Sequence, residues 1–127
     1  MQDKNIQELI SLYHSGEFNT VEKKISKLIK EKPDNFILYN ILGAVFDHKK
    51  NLKEAENNYR KSIKINPNYA EGYNNLGTVL YKLDKFDESI NNYKYAIKIK
   101  PDFAEAYNNL GDAFFILKNN MIQNWHI

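Results

Sequence analysis

The chain has 127 residues, of which 43% are hydrophobic and 27% charged, and a formal net charge of +2. These are the values of one ordinary globular domain. No apolar run approaches the roughly 18 residues that span a bilayer. The start, MQDKNIQELI, lacks the basic patch and apolar core of a secretory signal. The absence of cysteine excludes disulfides, thiolate metal sites and a cysteine nucleophile. Lysine supplies almost all the positive charge and Arg60 is the only arginine, which argues against nucleic acid as a partner. The expectation is a cytoplasmic protein with no membrane span.

Helices are expected near 2–15, 19–31, 35–48, 52–65, 69–82, 86–99 and 103–117. They pair into units that keep a step of 34 residues: Pro33, Pro67 and Pro101 mark it, as do Tyr39, Tyr73 and Tyr107, Leu42, Leu76 and Leu110, and Gly43, Gly77 and Gly111. The units are 2–35, 36–69, 70–103 and an incomplete 104–127. In the first, Asn5 and Leu9 stand where later units carry tyrosine and glycine, and Val21 where they carry Ala55 and Ser89. Terminal units of a repeat array have one neighbour and are often atypical.

The third unit shows the logic. Tyr73, Leu76, Gly77, Leu80 and Leu83 recur at helical spacing and give one apolar stripe. The segment DKFDE breaks it, with Asp84 expected to cap the next helix. Phe86, Ile90, Tyr93, Ala96 and Ile97 make the second stripe, Lys98 and Lys100 suit its C-terminal end, and Pro101 stops it. Glycine inside a helix costs about 1 kcal/mol against alanine. The expected compensation at Gly43 and Gly77 is close approach of the partner helix at Ala55 or Ser89, with Tyr59 and Tyr93 packing between neighbouring hairpins.

After Leu117 the pattern decays. Asn120 stands where Phe18, Leu52 and Phe86 stand, and Gln123 replaces the small residue. The segment NNMIQNWHI is too short for a full second helix, yet Met121, Ile122, Trp125 and Ile127 are apolar. Hairpins of this kind bury their faces only against neighbours. The tail is therefore expected to fold back as a short helix, with Trp125 against Phe114 and Phe115. A weak homodimer through this end is the alternative.

The stretches AEGYNNLGTVLYKLDKFDESINNYKYAIKIKP and LYNILGAVFDHKKNLKEAENNYRKSIKINP resemble the tetratricopeptide repeat (TPR), a family found also in the repeat regions of O-linked N-acetylglucosamine transferases and in bacterial repeat proteins. The resemblance covers essentially residues 2–118. It implies an all-α fold, a right-handed superhelical solenoid of stacked helical hairpins forming a single domain over 1–127. It also implies a concave groove, lined by first helices, that binds a protein or peptide. Groove positions carried over from the family include Asn40 in the second unit, Asn74, Asn75, Thr78 and Tyr81 in the third, and Asn108, Asn109 and Asp112 in the fourth.

An asparagine amide both donates and accepts, so a ladder of them can hold an extended peptide backbone without reading its side chains. Asn57–Asn58 and Asn91–Asn92, on second helices, show that asparagine is also simply common here. Chaperone-binding members of the family hold a terminal carboxylate with groove lysine and arginine. The corresponding places carry Asn74, Asn108, Glu105 and Asn109, so the resemblance implies no such binding. His14 and His48 share a register position, but neighbouring hairpins would set them on the order of 10 Å apart, too far for one metal. No phosphate loop, nucleophile elbow or zinc-ligand pair occurs. The expected function is a non-catalytic interaction module without cofactor or metal. The alternatives are a repeat fragment or relative of a bacterial glycosyltransferase or sulfotransferase, and a self-assembling repeat protein.

Overall fold

A computed structural model of the chain describes residues 3–125, and every regular element among them is an α-helix. The chain folds as two compact units, one ending at Pro67 and the other beginning at Asn68. The first holds α1 (Lys4–His14), α2 (Phe18–Glu31), α3 (Phe36–His48) and α4 (Leu52–Ile65). The second holds α5 (Ala70–Lys82), α6 (Phe86–Ile99) and α7 (Ala104–Trp125).

The apolar stripes read from the sequence make the cores. In the first unit Ile6 and Leu9 of α1, Val21 and Ile25 of α2, and Leu38, Ile41 and Val45 of α3 form one buried cluster. In the second, Ile90 and Tyr93 of α6 meet Ala113 of α7, with Tyr81, Leu110 and Leu117 packed around them. Helix starts are secured locally. Asp3 accepts the Asn5 amide at 2.9 Å and Asn35 accepts that of Ile37 at 3.0 Å, each satisfying a donor that the first helical turn leaves unpaired. Proline falls in the turns that follow α2, α4 and α6.

The turns inside the hairpins are a second repeat that the sequence conceals. Gly16, Lys50 and Asp84, again 34 apart, have φ of 79°, 62° and 62°. Just after each, an amide reaches back five residues: Glu17 to Leu12, Asn51 to Phe46 and Lys85 to Leu80, at 2.9–3.0 Å. This is the Schellman closure of a helix, which needs one left-handed residue. Asp84 therefore does not cap α6 as expected. It occupies the left-handed position, which asparagine and aspartate tolerate better than most residues, and the N-cap of α6 is Lys85 without a side-chain cap bond.

Close packing at the helical glycines comes mainly from a ring. A Cβ built on Gly43 would lie 2.7 Å from Tyr59, and one on Gly77 would lie 2.7 Å from Tyr93. Each tyrosine thus seats on the glycine of its own hairpin, not between neighbouring hairpins as the register predicts. Ser89 does approach: its hydroxyl donates to the Gly77 carbonyl at 2.7 Å. Ser62 ties α4 to α3 by donating to the Phe36 carbonyl at 2.8 Å.

The largest departure is at the end. Helix α7 runs unbroken through Lys118, the register position of Gly16, Lys50 and Asp84, and reaches Trp125. The tail does not fold back, and Trp125 is 85% exposed; Ile127 lies outside the described residues. A reversing turn costs a left-handed residue, roughly 1–2 kcal/mol, and is repaid when a second helix buries its stripe. With Asn120 in place of Phe86 and Gln123 in place of Ser89, the stripe that would repay the turn is interrupted, and continuing the helix adds a backbone bond per residue instead.

Candidate functional site

Among the described residues, no helix is long and apolar enough to cross a membrane, and no cluster of His, Asp and Glu is arranged to hold a metal ion. His48 stacks on Phe18 with ring centroids 4.5 Å apart, a packing role.

Asn40, the only candidate in the first unit, is half-buried on α3. With Ile10, Tyr13, His14, Ile41 and Ala44 it lines a depression of about 160 Å³ between α1 and α3.

The other candidates lie on α5 and α7, and the second unit brings several into one network. Asn74 is 2% exposed. Its amide nitrogen donates to Glu105 at 3.3 Å, and its carbonyl oxygen accepts from the Asn109 amide at 3.1 Å. A buried amide left unpaired would cost about 1–3 kcal/mol, and these bonds remove that cost while fastening α5 to α7. Asn74 is therefore a tie between helices, and its own amide is not on offer to a ligand. Asn109, half-buried, gives one N–H to Asn74 and keeps its carbonyl oxygen and second N–H. Asn108 and Asp112, one turn apart on α7, are exposed, as is Glu105; Asn75 is half-buried on α5.

Thr78 and Tyr81 serve the hairpin as well as the surface. The Thr78 hydroxyl donates to the main-chain carbonyl of Asn74 at 3.0 Å and lies 3.1 Å from the Tyr93 phenol, a hydrogen bond across the hairpin. Burial is the main reason the Tyr93 phenol is raised above its ordinary pKa, against the lowering effect of bonds to Thr78 and Ser89. Tyr81 meets Phe86 edge-on at 5.4 Å. With Lys82, Asp84, Phe86, Ile116 and Asn120 it lines an open depression of about 650 Å³ beside the C-terminal half of α7. Sequence reasoning did not include Phe86 or Asn120 in a site. The register offered one signal, because Tyr13 and Phe18 make the same edge contact at 5.3 Å.

Paired helices at a 34-residue step, closed by left-handed turns and by a tyrosine seated on a glycine, define a helical-repeat protein. The model of the TPR repeat matches residues 48–84 and 79–117. These stretches cover more than half of the chain, and the chain belongs to the TPR repeat family. The first TPR domain of Spaghetti (RPAP3), solved bound to the HSP90 peptide SRMEEVD, is 19% identical, with a TM-score of 0.85 over 90% of this chain and 90% of that one. MamA is 25% identical, with a TM-score of 0.80 over 87% of this chain and 64% of that one. An O-GlcNAc transferase from Thermobaculum terrenum is 24% identical with a TM-score of 0.79, and the match covers 89% of this chain but 23% of the enzyme. The comparison with curated proteins finds no match.

Proposed function

We propose that the chain is a non-catalytic protein-interaction module that holds an extended peptide against the polar face of α5 and α7. The observation that carries this reading is the network centred on Asn74. A buried amide fixes Asn109, and Asn109 retains one donor and one acceptor, with Asn108 and Asp112 exposed on the same helix and Asn75 half-buried on α5. Preset amide groups bind a backbone with little ordering cost. The RPAP3 domain, a structural neighbour, is bound to a peptide, which supports a peptide as the kind of ligand.

The charge of this face selects against one class of peptide. Glu105 and Asp112 are both exposed on α7, and like charges disfavour an acidic tail. The expected ligand is therefore neutral or basic, and SRMEEVD should bind far more weakly than peptides selected on this chain itself.

The test is selection of binders from a random peptide library, followed by titration against the chain and against Asn75→Ala/Asn109→Ala. Each lost hydrogen bond to the peptide costs about 0.5–1.5 kcal/mol, so the double variant should bind about 5- to 150-fold more weakly. Asn109→Ala also unpairs the Asn74 amide oxygen, so binding is compared where circular dichroism shows both proteins folded. Equal affinity for both proteins, or selected peptides that are uniformly acidic, would refute the reading.

A further inference from the structure

Helix α7 carries a seat without an occupant. In α3 and α5 the helical glycine lies under a tyrosine ring, whereas a Cβ on Gly111 would meet nothing within 4 Å. Around it lies the apolar surface of the molecule. Among the described residues, six of the seven exposed large hydrophobic side chains are on α7: Tyr107, Phe114, Phe115, Met121, Ile122 and Trp125. The concentration on one helix marks an interface rather than scatter.

The order of residues along α7 says which occupant fits. At about 100° per residue, Ala104, Gly111, Phe115 and Ile122 fall within about 40° of one another on the helix surface. The two small residues come first and the two large ones come after. Turn a second copy of the helix antiparallel about a point beside Ala113, and Phe115 of each copy meets Gly111 of the other. In the same register Ile122 of each copy meets Ala104 of the other. This is the self-complementarity that a two-fold interface requires. Each ring would sit on a glycine as Tyr93 sits on Gly77. No like charges oppose each other, since Lys118 falls opposite Asn108 and Glu105 opposite Met121. The six side chains present on the order of 700 Å² of apolar surface, close to the roughly 800 Å² per partner of a standard interface.

We infer that α7 is a homodimerisation helix, pairing antiparallel with α7 of a second copy so that Phe115 fills the seat at Gly111. This surface borders the α5–α7 polar face at Asn108, but its test reads the oligomeric state of the chain alone and does not depend on the peptide reading.

Sedimentation of the 127-residue chain across a concentration series should show a reversible dimer with a micromolar dissociation constant. Phe115→Asp, at a position 65% exposed, should weaken it by about 100-fold or more with unchanged circular dichroism. Gly111→Gln, which fills the seat from its own side, should do the same. The natural chain has no cysteine, so an equimolar mixture of Gly111→Cys and Phe115→Cys chains can report the register. Mild oxidation should give mixed disulfides in preference to either homodimer. A monomer throughout the series would overturn the inference, and so would dimers that survive both seat variants or a preference for homodisulfides. A monomeric chain whose Trp125 fluorescence responds to an added peptide of residues 86–100 would assign the seat to a foreign helix and would equally overturn it.

Discussion

Gly77 and Gly111 hold the same place in the repeat, yet a Cβ on the first would lie 2.7 Å from the Tyr93 ring and on the second would meet nothing within 4 Å. The divergence begins at one turn. Asp84 takes a left-handed φ of 62° and sends the chain back as α6, whereas Lys118 stays inside α7. Up to that point the two helices share their register of tyrosine, paired asparagines, leucine and glycine. The motif thus specifies a helix with a receptive face. Whether the hairpin closes depends on the segment C-terminal to that helix, because the strained turn is stable only when a second helix buries its stripe.

The sharpest way to break this comparison is to remove the ring that distinguishes the two helices. Tyr93→Ala should cost about 3–5 kcal/mol and leave Gly77 as open as Gly111. The site is buried on both sides, since Tyr93 is 2% exposed and touches the core of the second unit. Urea denaturation monitored by circular dichroism measures the loss. A cost under about 1 kcal/mol, the scale of a surface substitution, would mean that the seated ring is not what closes the hairpin.

Alkaline titration probes the same ring more gently. The phenols of Tyr93 and Tyr13 are raised mainly by burial. That of Tyr69 is pushed up to about 12 by burial and then by the Glu71 charge. The folded chain therefore keeps protons that the unfolded chain releases above about pH 10. Fewer protons on the unfolded state make stability fall as pH rises. The melting temperature should be flat to about pH 9, then decline from about pH 10 to about pH 12. Tyr93→Phe should shrink that decline while costing about 0.5–1.5 kcal/mol at neutral pH through the lost bond to Thr78. A melting temperature flat through pH 12 would contradict the burial of these rings.

The regular part of the fold was plain in the sequence because the period of helical packing is written in side chains. Leu52–Ile65 and Phe86–Ile99 match the expected spans to the residue. The left-handed turns were hidden because three different residues, Gly16, Lys50 and Asp84, fill one backbone role. The decaying apolar pattern after Leu117 reads as a reversal, whereas α7 continues for about two more turns to Trp125, because each added residue gains a backbone bond without a partner helix. At the candidate site, register placed Asn74 and Asn109 on related helices. It did not reveal that Asn74 is consumed by Glu105 and Asn109, at offsets of 31 and 35 residues. Those offsets straddle the 34-residue step and are the signature to seek in such arrays.

One pair of substitutions tests the contrast most directly. Alanine should be placed at Gly77 and, separately, at Gly111, with urea midpoints measured at submicromolar concentration, where α7 is unpaired. Gly77→Ala should lose about 1–3 kcal/mol by overpacking against Tyr93. Gly111→Ala should gain up to about 1 kcal/mol from helix propensity alone. Opposite signs are the prediction; equal destabilisation at both positions would show that Gly111 is already covered and that α7 has no open seat.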